Sequence, residues 1–304
     1  MSDLEHTNIG IEFPFEARYQ EVNGHRLHYI DEGVGPTILM LHGNPTWSYM
    51  YRNIIPYLKD FSRCIAVDLL GMGRSDKPDS LYTFLEHVTY IRQFVDALGL
   101  KDFILVGHDW GMAIGLHVAM SHPHPIKGIA MLEPQALYPC PSWSEFTPSE
   151  SKDLFQTLRN PDMGWTFMRE NNVFVEGMPH IIINRSFTQA EHDHYREPFQ
   201  DPDQRKPSWV FPNQLPIDGT PSEVVQAVEQ RNQWLYQTTI PKLLFHASPG
   251  CTIREPQIQW CLSHMKNLTL CDIGRGFHHL TEENPHKIGQ KLRQWVKEIT
   301  ANIE

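Results

Sequence analysis

Nowhere in the chain do eighteen apolar residues run together, and the opening residues, Met1-Ser2-Asp3-Leu4-Glu5-His6, lack a basic region followed by an apolar stretch. The first absence excludes a helical membrane span and the second a secretory leader, so the expectation is a soluble, cytoplasmic protein with no membrane partner. Cysteines are few: Cys64, Cys140, Cys251, Cys261 and Cys271 make an odd number without C-x-x-C spacing. That argues against a disulfide framework and against a zinc ribbon. His192 and His194 stand two apart and do not share a helix face, so no metal is expected on them. No basic cluster interrupts a formal net charge of −10, which counts against a nucleic-acid partner. Repeats, low-complexity tracts and long disordered tails are missing as well. What remains is 304 residues, enough for one large domain or one core carrying an insertion, at roughly 150 residues per domain.

One stretch organises the rest. Residues 102–106, Asp-Phe-Ile-Leu-Val, form an apolar run suited to a buried strand; the run breaks at Gly107, turns at His108-Asp109, and restarts at Trp110-Gly111-Met112-Ala113 in a helical pattern. Glycines two before and two after Asp109 mark a nucleophile elbow, a sharp strand-to-helix turn that lifts one side chain above the sheet. Here that side chain is a carboxylate. A carboxylate can displace a leaving group from carbon and become an ester, so the motif points to alkyl transfer onto Asp109.

Around the elbow the pattern alternates. Residues 19–22 and 26–30 read as a hairpin around Asn23-Gly24. Residues 37–41 and 64–68 read as strands, followed by His42-Gly43-Asn44-Pro45 and by the glycine-rich loop Leu70-Gly71-Met72-Gly73-Arg74-Ser75, with helices expected over 48–58 and from Val88 to Leu98. A further strand is expected over 126–132. The economical architecture is α/β: a mostly parallel sheet flanked by helices. From Gln135 to about Pro212 prolines and aromatics abound and no buried strand shows, which reads as a helical insertion, after which strands resume at 242–246 and 268–273. The expected organisation is a core of residues 1–134 and 213–304 with a helical cap of residues 135–212.

An ester on Asp109 needs a base to activate water, an acid to orient the base, and donors for developing negative charge. Such groups gather beyond the carboxyl ends of the strands. His278, after the last strand, is placed for the base, and His279 is its competitor. The loop from His246 to Arg254, the common seat of the acid, contains no carboxylate, which leaves Glu133 at the end of the strand after the elbow helix. The Trp110 indole and the Asn44 amide are candidate donors to a departing anion, and the backbone N–H groups of the same two residues are candidates for the oxyanion hole.

These motifs together, with Asp68-Leu69-Leu70-Gly71-Met72-Gly73-Arg74-Ser75-Asp76-Lys77-Pro78, Asp193-His194-Tyr195-Arg196-Glu197-Pro198-Phe199 and Gly274-x-Gly276-x-His278, resemble the haloalkane dehalogenases of the α/β-hydrolase superfamily over nearly the whole chain. The resemblance implies an α/β-hydrolase fold with an inserted cap, Asp109 as nucleophile, His278 as base, Glu133 as acid and Asn44 with Trp110 as halide donors. It also implies small halogenated alkanes as substrates, halide as product, and neither metal nor organic cofactor. Trp143, Phe146, Phe174, Phe211 and Leu215 look by position like pocket lining, with Cys251 and Thr252 at the tunnel mouth. Two rival activities share parts of this pattern. An epoxide hydrolase would use the same nucleophile but needs cap tyrosines near the leaving oxygen, and a coelenterazine-type luciferase keeps the same triad. A ligand-binding receptor on the same fold leaves the five groups without a task.

Overall fold

A computed structural model describes residues 9–122, 124, 126–138, 142–146 and 148–301. The opening residues and Cys140 lie outside the described residues. The chain begins with the hairpin β1 (Arg18–Val22) and β2 (His25–Glu32). Asn23 and Gly24 both take positive φ, 52° and 76°, as a two-residue turn matched to strand twist requires. Strand β2 then pairs antiparallel with β4 (Arg63–Val67), and from β4 on every pairing is parallel. With β3 (Thr37–Leu41), β5 (Ile104–His108), β6 (Gly128–Leu132), β7 (Lys242–Pro249) and β8 (Leu268–Gly276), the eight strands run in the order β1-β2-β4-β3-β5-β6-β7-β8.

The parallel strands are apolar along nearly their whole length because both faces are covered. Ile38 to Leu41, Ile104 to Val106 and Ile129 to Leu132 are all buried. Cover on the sheet comes from α1 (Phe84–Ala97), α2 (Asp109–Ser121), α8 (Ser222–Gln237), α9 (Glu255–His264), α10 (Leu280–Glu283) and α11 (Pro285–Ala301). In α1, Val88, Ile91, Phe94 and Val95 of the expected apolar face are buried while its last member, Leu98, stands half-buried at the C-cap, and the Thr83 hydroxyl caps the helix by accepting the Glu86 N–H at 3.2 Å. Between β6 and α8 the described chain carries α3 (Lys152–Leu158), α4 (Gly164–Asn171), α5 (Val173–Gly177), α6 (Gln189–Arg196) and α7 (Lys206–Asn213).

One expected element differs. Instead of a helix over 48–58 the chain makes two short 3₁₀ turns, Ser48–Tyr51 and Ile55–Tyr57. Pro56 has no N–H to continue an α ladder. The bonds that do form span three residues, Arg52 N–H to the Tyr49 carbonyl at 3.1 Å and Ile54 N–H to Tyr51 at 2.9 Å.

Strand order reverses direction between β3 and β5, and open α/β sheets bind ligands at that switch point. The ladder places Leu41 opposite Gly107 and His108 opposite Leu132, so the loops bearing Asn44, Asp109 and Glu133 leave the sheet side by side. Helix α2 can start this close to β3 only because residue 111 has no side chain: a Cβ there would overlap the carbonyl oxygens of Leu41 and His42. We expect Gly111→Ala to lower stability by about 1–3 kcal/mol or more, the cost of overpacking against backbone. Urea unfolding at neutral pH measures this, and an unchanged midpoint would contradict the close approach.

Candidate active site

Asp109 opens α2 with φ of 52°, the left-handed conformation of an elbow, and it is buried. Holding a non-glycine residue there costs on the order of 1–3 kcal/mol, and the neighbouring contacts fix it in place. Its Oδ1 accepts the Asn44 backbone N–H at 2.9 Å, and its Oδ2 accepts the Gln135 side-chain amide at 2.8 Å. Gly43 permits the first contact, since a Cβ there would collide with the Asp109 carboxylate. The loop is pinned by His42, whose Nδ1 donates to the Gly43 carbonyl and whose Nε2 accepts the Leu69 N–H, each at 2.9 Å.

His278 stands between two carboxylates. Its Nε2 lies 3.5 Å from Asp109 Oδ2 and its Nδ1 lies 3.6 Å from Glu133 Oε2. Burial alone would pull its pKa down, but the Cys251 sulfur, Asp109 and Glu133 together raise it well above the ordinary imidazole value. Burial would likewise push Asp109 up; His278 and the Asn44 N–H outweigh it and hold the carboxyl below its usual range. His279, the competitor, is fully buried, meets neither carboxylate, and is driven well below the ordinary value by burial and by its neighbours His278 and His108.

Glu133 is fully buried and sits at φ of 41°. Its Oε2 accepts the Thr252 N–H at 2.6 Å, the Thr252 hydroxyl at 2.8 Å and the Ile253 N–H at 3.4 Å, and its Oε1 accepts the Cys251 N–H at 3.3 Å. The loop that lacks a carboxylate thus supplies the donors that hold one projecting from the neighbouring strand. Burying a carboxylate without such donors would be prohibitive.

Asn44, Asp109, Trp110, Gln135, Phe146, Phe174, Leu215, Cys251, Thr252 and His278 line one cavity, together with Pro148, Ser151, Leu154, Phe155, Val173, Gly177 and Pro212. Most of its polar groups follow the carboxyl ends of the strands, and most of its apolar ones come from the helices and loops between β6 and β7. The Asn44 Nδ2 reaches only the Ser208 carbonyl at 3.5 Å, the outer limit of a hydrogen bond, and so remains a donor for a ligand.

Two expected lining residues stand elsewhere. Phe211 is fully buried behind the cavity wall, its ring stacked 5.2 Å from Trp110 on one side and 4.9 Å from His87 on the other. Trp143 packs outside against Phe146 at 5.3 Å, under the Arg159 guanidinium. Cys251 and Thr252 line the cavity, but buried beside Glu133 and not at its mouth. Sequence reasoning missed Gln135, two residues beyond Glu133, and His108, whose Nε2 donates to the His278 carbonyl at 2.9 Å. The signal for Gln135 was present: an amide one step beyond Glu133-Pro134, on a loop already committed to the site.

The His278 loop is tied down from below. Glu283 on α10 accepts the Phe277 N–H at 2.8 and 2.9 Å and the Asn184 N–H at 2.6 Å. Next to it Glu282 is held by Arg52, by the Tyr195 hydroxyl at 2.5 Å and by Arg185 at 3.1 Å, joining α6 to the same segment. Burial raises the Glu283 carboxyl from 4.5 to about 7. A carboxyl raised on folding binds more protons in the folded state, so its contribution is fully present below 4.5 and is lost as pH rises through about 7. We expect Glu283→Gln to gain stability relative to wild type as pH rises from about 5 to 8, by on the order of 1–3 kcal/mol. Denaturant midpoints across that range test this, and a constant difference between the two proteins would contradict it.

A family model for the alpha/beta hydrolase fold matches residues 36–285. A haloalkane dehalogenase of Sphingobium indicum is 39% identical over 293 residues, covering 94% of this chain and 97% of its own. One from Mesorhizobium japonicum is 38% identical over 275 residues, 90% of this chain and 88% of that one. Among solved structures, a haloalkane dehalogenase from Bradyrhizobium elkani matches with a TM-score of 0.91 at 34% identity, covering 95% of this chain and 99% of that one.

Proposed function

The chain belongs to the haloalkane dehalogenases of the α/β-hydrolase fold, and we propose that Asp109, Glu133 and His278 carry out its reaction while Asn44 and Trp110 receive the halide. The activity is hydrolytic: haloalkane and water give alcohol, halide and a proton. The observation that carries the assignment of roles is the split environment of the Asp109 carboxylate. Oδ1 is held by a backbone N–H, whereas Oδ2 faces the cavity and His278.

In this reading Oδ2 attacks carbon from the side opposite the halogen, forming the oxygen–carbon bond as the carbon–halogen bond breaks. The Gln135 amide, which aims Oδ2 beforehand, gives way as that oxygen becomes an ester oxygen and a poorer acceptor. The Asn44 amide and the Trp110 indole take the halide; Phe211, stacked behind Trp110, keeps the indole in place. His278 then removes a proton from water attacking the Asp109 carbonyl carbon. Oδ1, at the Asn44 N–H, carries the negative charge that develops. Glu133, 3.6 Å from Nδ1, orients the imidazole through its charge. The helical segment of residues 135–212 is proposed as the lid: Phe146, Leu154, Phe155, Val173, Phe174 and Pro212 give the cavity its apolar wall, suited to an alkyl chain.

No tyrosine stands among the described residues that line the cavity. Tyr138 bonds the Thr252 carbonyl and Tyr195 bonds Glu282, which disfavours epoxide opening. A luciferase would share the triad, and the relatives described above, named haloalkane dehalogenases, favour dehalogenation over it. The free, buried thiols of Cys64, Cys251, Cys261 and Cys271 support a reducing, cytoplasmic setting.

Asp109→Ala should abolish halide release by more than the ~10²–10⁴-fold that loss of an acid–base helper explains. His278→Phe should leave the first step intact, because an ionised carboxylate needs no base to displace halide. With 1-iodohexane, intact-mass spectrometry should then show one hexyl group per chain, mapped to the peptide containing Asp109, with a single burst of iodide and no turnover. His279→Phe should turn over steadily. An adduct trapped in the 279 variant but not in the 278 variant would reassign the base, and no adduct in either would defeat the covalent mechanism.

Trp110→Phe removes the N–H while keeping much of the ring. We expect bromide affinity, followed by tryptophan fluorescence, to fall roughly 10-fold or more, since a hydrogen bond to a charged group is lost. Unchanged affinity would make Trp110 a packing residue only.

A further inference from the structure

We propose that Glu133, Cys251 and His278 also form a binding site for a borderline-soft divalent cation such as Zn²⁺, and that occupancy of this site stops turnover after the first chemical step. The three side chains come from the ends of β6, β7 and β8, and each presents a ligand atom such that all three lie within 4.8 Å of one another. All three residues are buried, and all but Glu133 line the cavity. Carboxylate, thiolate and imidazole are the donors that zinc takes, and bonds of about 2.0–2.3 Å at tetrahedral angles put ligand atoms roughly 3.3–3.7 Å apart. Small side-chain rotations close the difference.

A second observation points the same way. The Nδ1 atom of His278 is buried and has no hydrogen-bond partner, 3.6 Å from Glu133 being too long for one. Its proton passes to solvent as the cation binds, and the lone pair so freed becomes the imidazole ligand. Cys251 loses its thiol proton to solvent as the sulfur–metal bond forms, and water from the cavity fills the fourth position. No electron is transferred.

The consequence rests on the roles proposed above. A cation on Nδ1 leaves the imidazole proton on Nε2, the nitrogen that must accept a proton from water. His278 is then no base. Asp109 is not a ligand, so attack on the haloalkane continues once per chain and the alkyl ester persists.

Titration of the intact protein with Co²⁺ reads the site without turnover. Wild type should show a thiolate-to-cobalt charge-transfer band at one equivalent, displaced by Zn²⁺. Cys251→Ser and Cys251→Ala, with the other four cysteines retained and native folding checked by circular dichroism, should lose it. The same variants, each compared with its own metal-free rate, should need more Zn²⁺ for half-inhibition than wild type, by at least the roughly 10–100-fold that loss of an outer-shell partner costs. His278→Phe, which keeps the thiol, should bind Co²⁺ more weakly and provides the check if both Cys251 variants misfold. With Zn²⁺ and 1-iodohexane, wild type should release one iodide per chain, stop, and resume on chelation. Absence of the band, or Cys251→Ala as sensitive to Zn²⁺ as wild type, overturns the site. A Cys251-dependent band with no iodide burst keeps the site and overturns the two-step basis of the switch.

Discussion

A buried imidazole flanked by two buried carboxylates is a set of charges that an apolar interior would expel one by one. His278 lies 3.5 Å from Asp109 and 3.6 Å from Glu133, and all three are nearly inaccessible to water. Besides the imidazole they share, each carboxylate is kept by neutral donors: the Asn44 N–H and the Gln135 amide for Asp109, the Cys251, Thr252 and Ile253 loop for Glu133. Donors fixed in backbone need no reorganisation when charge moves, which is what a site with a developing oxyanion requires. The parallel sheet delivers them, because Asn44, Asp109, Glu133, Thr252 and His278 follow the carboxyl ends of five different strands, β3, β5, β6, β7 and β8.

That arrangement depends on close packing elsewhere. Gly111 allows α2 to approach β3, Gly107 lets Met112 of α2 lie against β5, and Gly43 lets the Asp109 carboxylate lie directly against the loop after β3. On the other side of the site, the Arg52–Glu282–Tyr195–Arg185 cluster joins α6, α10 and the turn after β3. Removing one member of a buried ionic cluster leaves the others uncompensated. The cluster therefore fixes the segment that follows His278, while the sheet fixes the segment before it.

The sequence made the elbow legible because its chemistry is local: a strand, a turn and a helix within about twelve residues, with glycines where no Cβ fits. The strands were legible for a similar reason, being continuous apolar runs. Glu133 was reached by elimination, since a carboxylate had to exist and the loop after β7 held none. Side-chain direction was not legible. Phe211 and Pro212 are adjacent on α7, yet one turns into the core behind Trp110 and the other into the cavity, a difference of one helical step that no residue type reveals. Cys251 and Thr252 read as tunnel mouth from the family resemblance; here the loop folds inward to satisfy Glu133. The helix expected over 48–58 gave way to two 3₁₀ turns; Pro56 denies an α ladder its N–H in the second, and apolar spacing did not mark the three-residue bonding of the first.

The two carboxylates also differ in what happens to their charge. Glu133 keeps its donors throughout the proposed reaction, but Asp109 loses its charge once it carries an alkyl group. In the free protein both raise the proton affinity of His278, Asp109 from the Nε2 side. Alkylation removes that contribution while burial, which pulls the imidazole down, stays as it was. The proposed base thus binds a proton tightly while Asp109 is the nucleophile and releases it more readily once Asp109 is an ester to be hydrolysed. In the proposed mechanism a single buried imidazole supports both steps because the first step changes the charge beside it.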